Sequence, residues 1–275
     1  MKHEIGCSTL GWHFFDLETA LSEMRALRFG IVDIAMIPTF CPHFDPVEAS
    51  RNEKAKLKRS LQESGFQIAT LNTFSGFLGA SADRDSALAF LRASLELGKE
   101  LGAYGLCVQS GQPRSEPEWG EAAQSLARDL RLLGDEAQAF GLDIAVELHR
   151  DMLVSNTAEA VKLMKLVDHP RVGITLDPCH VVCAGEDPAL AAKKLGPLVR
   201  HVHLRDAIGK NTEVVPGDGE VDFKALVTAL EGIGYRRPMM VELEYPAKPA
   251  KPELAIVRRD AERARKLVRS ILDAM

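Results

Sequence analysis

Apolar and polar positions follow two rhythms that take turns along the whole chain. Short continuous apolar runs recur near residues 4–8, 31–35, 66–71, 104–109, 142–148, 172–177, 199–205 and 239–244. Between them lie longer segments whose apolar residues return every third or fourth position, near 16–28, 46–64, 84–102, 118–140, 156–168, 187–195, 222–233 and 252–273. The first pattern predicts buried strands and the second predicts amphipathic helices. Strict alternation predicts a parallel sheet, because each helix carries the chain back to start the next strand. Eight such units in 275 residues predict a closed (β/α)8 TIM barrel, a single domain over residues 1–275. An open doubly wound sheet is the competing arrangement, but no Gly-x-Gly-x-x-Gly follows the first strand.

Local punctuation agrees. Asp45-Pro46-Val47-Glu48 supplies an N-cap, a proline at the first helical position and an acid in the first turn, so a helix is expected to start there. Gly65, Gly141 and Gly234 each fall between a helix pattern and a strand, where helix-ending glycines belong. The longest irregular pieces, 36–45, 73–83, 110–117 and 207–221, all follow strands. They are expected on one face, the face on which barrel enzymes build their sites.

Composition narrows the function classes. A hydrophobic content of 46% allows a large core, and a net charge of −5 argues against a general affinity for nucleic-acid backbone. Five cysteines, Cys7, Cys41, Cys107, Cys179 and Cys183, form an odd set. They fit free buried thiols in a reducing compartment better than a disulfide framework. No apolar run reaches the roughly 18 residues of a membrane helix, and no signal peptide is visible. The cytoplasm is the expected setting, with neither a membrane nor a nucleic acid as partner; a homo-oligomer is compatible with all of this.

The chemistry gathers at the ends of the last four predicted strands. Ile144-Ala145-Val146-Glu147, Gly173-Ile174-Thr175-Leu176-Asp177, Val199-Arg200-His201-Val202-His203 and Met239-Met240-Val241-Glu242 each end an apolar run on a residue that can bind a metal. Neighbouring strands lie about 4.8 Å apart, so four consecutive ends can surround one ion. Glu147, Asp177, His203 and Glu242 would supply three oxygens and one nitrogen, a set suited to Mn²⁺ and open to Mg²⁺, Co²⁺ or Zn²⁺. Without a cation, three carboxylates at one mouth would repel one another. Strand alternation puts His149 on the face of Glu147, Arg205 and His201 on that of His203, and Glu244 on that of Glu242; His149 and Arg205 lie further out, where a substrate would be, and His201 deeper. Pro178 is expected to end regular structure beyond Asp177, letting His180 return over the mouth towards a substrate oxygen.

These residues, with Asp177-Pro178-Cys179-His180, His201-Val202-His203-Leu204-Arg205-Asp206 and Pro216-Gly217-Asp218-Gly219, resemble the sugar phosphate isomerase/epimerase family, the xylose isomerase-like barrel superfamily. The resemblance covers essentially the whole chain, although its motifs lie in the second half. It implies that Glu147, Asp177, His203 and Glu242 hold the metal, that Glu147 and Glu242 also move protons, and that His180 and Arg205 contact a small polyol or sugar. Many relatives carry Lys where Arg205 stands, which leaves the group it would bind open. The endonuclease branch of the family needs extra histidines where this chain has Asn72 and Gln109, and Gly217-Asp218-Gly219 replaces a further ligand motif.

Three functions follow as expectations. The first is a metal-dependent isomerase or epimerase acting on a small polyhydroxylated carbonyl compound, with Glu147 and Glu242 as acid and base. The second is a dehydratase of the inosose or dehydroshikimate kind on the same scaffold. The third is a barrel that binds a metal and a sugar without turnover. Weaker signals accompany them. Trp12, in Trp12-His13-Phe14-Phe15, is a candidate for stacking on a sugar ring. His43 reads as a solvated loop residue, Cys179 and Cys183 as buried thiols at a helix start, and Arg258 to Arg269 as a solvated helix face with ion pairs.

Overall fold

The computed structural model describes residues 3–79, 81–113, 119–246 and 251–275. Its central feature is a ring of parallel strands: β1 Ile5–Ser8, β2 Ile31–Ile37, β3 Gln67–Thr73, β4 Gly105–Val108, β5 Asp143–Glu147, β6 Val172–Leu176, β7 Val199–Leu204 and β8 Met239–Val241. Each pairs with its sequence neighbour, and β1 pairs with both β2 (Cys7 opposite Val32) and β8 (Ile5 opposite Met239), which closes the barrel. Helices α1 Leu17–Ala26, α2 Arg51–Glu63, α3 Arg84–Leu101, α4 Trp119–Phe140, α5 Thr157–Val167, α6 Pro178–Cys183, α7 Pro188–Leu195, α8 Phe223–Gly232 and α9 Leu254–Asp273 connect the strands or close the chain. Every strand and helix expected from the apolar rhythm is present, and α6 is additional.

Sequence chemistry explains the helix ends. Helix α2 starts at Ser50, whose hydroxyl accepts from the Glu53 amide while the Glu53 carboxylate accepts from the Ser50 amide. The expected start at Asp45 is therefore displaced. Asp45 does accept from the Val47 and Glu48 amides, but the turn it makes does not propagate, because the better box follows it. Gly65, Gly141 and Gly234 all have positive φ after their helices, as expected. Pro178 does not end regular structure. It occupies the first turn of α6, where a missing amide proton costs nothing, and Asp177 is the N-cap, accepting from the Cys179 amide at 2.8 Å.

The core lies between the ring and the helices. Val257, Ala261, Ala264, Val268 and Leu272 form the buried stripe of α9, at helical spacing. Its other side carries ion pairs such as Lys266–Glu262 and Arg263–Asp218, both 2.7 Å, as its charge pattern predicts. All five cysteines are free. Opposite the metal-binding candidates, Asp143 opens β5 and is buried among the arginines Arg171, Arg200 and Arg237, which tie the starts of β5, β6, β7 and β8 together. No described helix is long and apolar enough to cross a membrane.

The loops after the strands carry more order than the sequence suggests. Within 36–45, β2 runs on to Ile37, and Cys41–Pro42 pairs back on it. Within 207–221, Asp206–Ile208 and Asn211–Val214 form an antiparallel hairpin. Buried Asp206 then gathers the amides of Ala207, Gly217, Gly219 and Val221. Gly219 is obligatory there, because a Cβ would sit 2.3 Å from Asp206 Oδ1. The 110–117 loop is described only to Pro113.

Candidate metal centre

Strand register brings the four expected ligands together. Glu147 ends β5, Asp177 follows β6, His203 lies in β7, and Glu242 follows β8, its amide donating to the Leu204 carbonyl. Their ligand atoms all lie within 4.8 Å of one another, and all four residues are buried. Nδ1 of His203 is the hub, 2.9 Å from Glu147 Oε1, 3.0 Å from Glu242 Oε2 and 3.9 Å from Asp177 Oδ2.

The electrostatics are those of a site short of positive charge. Burial and the neighbouring Glu147 and Glu242 push the Asp177 carboxyl up to about 6, against the opposing pull of Arg205 and His203. Burial would also raise Glu242, but the His203 charge and hydrogen bond outweigh it and hold Glu242 down at about 2. Burial opposes a charge on His203, yet Glu242 and Glu147 hold its imidazole well above the usual value. In the metal-free protein a proton on Nδ1 thus serves as the counter-charge. A divalent cation fits the same place better, since one oxygen from each carboxylate and one imidazole nitrogen already converge on it.

Supporting residues fix these ligands. Asp177 is held through Oδ1 by its capping role, while Arg205 donates to Oδ2 at 3.5 Å. Asn72 donates its amide to Glu242 Oε1 at 3.2 Å. One layer deeper, Asp33 accepts from the Thr70 amide at 2.7 Å, the Thr70 hydroxyl at 2.9 Å and His201 Nε2 at 2.8 Å. His201 is therefore deeper, as alternation predicts, and bonds to Asp33. Oδ2 of Asp33 also lies 3.8 Å from the otherwise unpartnered Nε2 of His203. This places a carboxylate behind the imidazole, near enough to act on it by charge although not by a hydrogen bond. Sequence reading missed Asp33. Its signal was a lone acid inside the apolar run Ile31-Val32-Asp33-Ile34-Ala35.

Above the ligands lies a cavity of about 190 Å³. Glu147, Glu242, His149 and Arg205 line it together with Asn72, Gln109 and Glu244, and Leu10, Ile37, Phe40 and Phe74 form its apolar side. His180 is buried, its ring 3.9 Å from that of His149. Burial and then His149 hold its imidazole well below the usual value, so it is neutral at neutral pH. Nε2 of His180, which does not line the cavity, and Oε1 of Gln109, which does, are buried without a hydrogen bond, Nε2 of His180 standing 3.7 Å from Asp177 Oδ2. Trp12 is not brought to the cavity. It is fully buried in the hydrophobic core, and His43 instead holds the loop around it. His43 is half-buried rather than solvated, its Nε2 donating to the Trp12 and Phe15 carbonyls and its Nδ1 2.9 Å from the Thr9 hydroxyl. A larger surface cavity of about 650 Å³ between α1 and α2 lies away from the strand ends.

Comparison with known proteins bears on fold and activity separately. The sequence profile described as xylose isomerase-like TIM barrel matches residues 24–267. An inosose dehydratase of Geobacillus thermodenitrificans (strain NG80-2) is 30% identical over 290 residues, covering 91% of this chain and 93% of that protein. An inosose dehydratase of Bacillus thuringiensis (strain Al Hakam) is 33% identical over 156 residues, about half of each chain (50% and 51%). Among solved structures, a D-tagatose 3-epimerase-like protein superposes with a TM-score of 0.81 at 20% identity, covering 100% of this chain and 98% of that one. The IOLI protein with a bound zinc atom gives 0.81 at 20% identity, covering 100% and 99%. At that identity the epimerase likeness speaks for the fold alone. The relatives similar in sequence include inosose dehydratases, which overturns the isomerase or epimerase expected from the sequence. The error has a chemical reason: both reactions begin with removal of the same proton beside a carbonyl, so the same ligands serve either. The expected preference for Mn²⁺ also finds no support, since the donor set admits several ions and one neighbour holds zinc.

Proposed function

Because this chain belongs to the xylose isomerase-like TIM barrel family, we propose that it is a divalent-metal-dependent dehydratase acting on a small cyclic polyhydroxylated ketone of the inosose kind. The observation that carries the reading is the convergence of Glu147, Asp177, His203 and Glu242 on one buried point, in a chain 30% identical to an inosose dehydratase over nearly its full length. Bound by those four residues, a divalent cation would act as a Lewis acid that makes the C–H bond beside a carbonyl acidic.

The protein's own groups divide the remaining work. Glu242 is clamped from both sides, by Asn72 at Oε1 and by His203 at Oε2, and stays ionised. Glu147 takes one hydrogen bond from His203 at Oε1 and lines the cavity, so its second oxygen is the better placed to accept a proton from carbon. One C–H and one C–O bond break, a C=C bond forms, and the hydroxyl departs with the abstracted proton as water. No further reactant is needed. The unpartnered Gln109 Oε1 in the cavity wall suits a hydroxyl group of the substrate, which would satisfy a polar atom that is costly to leave bare. Leu10, Phe40 and Phe74 suit the C–H face of a ring.

The experiment is a substrate panel of ketoses and inososes with metal-loaded protein. It is read both for new ultraviolet absorbance from the conjugated product and for changed stereochemistry. Absorbance that grows with an inosose and stops on chelation is the expected result. Epimer formation without absorbance, or binding without any turnover, would overturn the assignment.

A further inference from the structure

The mouth of the site contains a cation that is already occupied. Arg205 is buried, with only 5% of its side chain exposed, and its guanidinium bonds to Glu244 on one side and to Asp177 Oδ2 on the other. Neither partner is there by chance of a flexible surface. Asp177 is fixed as a helix cap, and Glu244 lies two residues beyond Glu242 on the continuation of β8, beside the cavity. An arginine in a small polar cavity is ordinarily the group that captures a carboxylate or phosphate through its paired donors. Here Glu244 takes that position.

The charge of the cavity follows. Glu147, Glu242 and Glu244 line it and Asp177 is buried beside Glu147 and Glu242, against Arg205 and the one divalent cation the site is suited to hold. An anionic substrate would have to displace Glu244 from Arg205 or sit beside carboxylates with no free cation, and like-charge juxtaposition of that kind is a strong rejecting element. A neutral polyol meets no such barrier. It carries no charge to set against Glu244, so the pair need not break.

We propose that Glu244 is the charge filter of this site: by pairing with Arg205 it reserves the cavity for neutral polyols, and without it Arg205 would admit anionic ring compounds. The inference deepens the cyclic-polyol reading above and rests on it, but it concerns binding rather than turnover.

The test uses metal-loaded wild type, Glu244→Gln and Glu244→Ala, with myo-inositol as the neutral ring probe and shikimate as the carboxylate-bearing one. Binding is followed by calorimetry, after circular dichroism has established the fold and chelator competition the metal content. Because Glu244 is one-third exposed (32%), both variants are expected to fold. The expected result is a gain in shikimate affinity of about ten- to a hundredfold in both variants, the size of a charged hydrogen bond, with far less change for myo-inositol. A folded, metal-loaded variant pair with no shikimate gain would overturn the proposal, as would a wild type that already prefers shikimate. Failure of the dehydration assay alongside a clear affinity switch would count against the activity and leave the filter standing. Dehydration without the switch would do the reverse.

Discussion

Nδ1 of His203 lies 2.9 Å from Oε1 of Glu147, the distance of a charged hydrogen bond inside the barrel. In the metal-free protein that bond carries a proton, kept there by the surrounding carboxylates. A cation that takes Nδ1 as a ligand must expel it. Metal binding is therefore expected to release protons near neutral pH, and affinity is expected to rise with pH. At the acid end a second group joins. The Asp177 carboxyl is held up at about 6 by burial and its acidic neighbours, so affinity should fall more steeply below about that pH. Calorimetry in buffers of different ionisation enthalpy checks this. A binding enthalpy independent of the buffer would contradict it.

Asp177 has two separable jobs, one per oxygen. Asparagine keeps the capping oxygen for the Cys179 amide and loses the charge; alanine loses both. Asp177→Asn is expected to abolish tight metal binding and leave a folded protein. Asp177→Ala should cost roughly 0.5–2 kcal/mol more through the lost cap. Chemical denaturation of both variants in chelator measures the difference. Equal stability of the two would mean that the cap contributes nothing.

Asp33 does not line the cavity above the strand ends, yet it stands behind both histidines of β7. Asp33→Asn keeps the size and an acceptor but removes the charge that steadies His203. Metal affinity is expected to fall by about 10- to 100-fold, the usual cost of losing such a partner. Chelator competition reads this directly. Unchanged affinity with lowered stability would reduce Asp33 to a packing role.

His43 is expected to make stability fall in mild acid. Burial, outweighing its hydrogen bonds to Phe15 and Trp12, lowers its imidazole below the ordinary 6.5. The unfolded chain therefore binds the proton more readily, and stability that is complete above 6.5 is lost as the pH drops below it, until the folded imidazole itself protonates. His43→Gln should cost about 1–2 kcal/mol at pH 8 through lost hydrogen bonds, and the gap to wild type should narrow by pH 5. Melting curves across that range decide; a gap that widens in acid would reverse the sign.

The apolar rhythm made the barrel legible, because in a parallel α/β fold each strand is buried on both faces and each helix on one. The cluster of four candidate ligands was legible because they end consecutive strands, so register alone brings Glu147, Asp177, His203 and Glu242 together. What stayed hidden depends on which of two local devices wins, or on contacts across the ring. Asp45 and Ser50 both offer a helix start, and only the reciprocal bond of Ser50 with Glu53 decides. Trp12 looked like a loop aromatic because burial of a short turn has no period. Asp33 reaches His201 across 168 positions, and no spacing encodes that distance. The choice between epimerisation and the proposed dehydration was hidden for a different reason: either reaction can use the same four residues, so nothing in their spacing separates them.

Asp206 draws the base of the loop that follows β7 onto a single carboxylate, so the chain enters the hairpin and leaves it at nearly the same point. The barrel has no stake in how long the excursion between them is. Lengthening it costs only the slow logarithmic entropy of a longer closed loop. The exposed tip from Ile208 to Asn211 is thus a replaceable part in the engineering sense, one that can be lengthened while buried Thr212 and the strand ends keep their places. Length can be added there without moving Glu147, Asp177, His203 or Glu242.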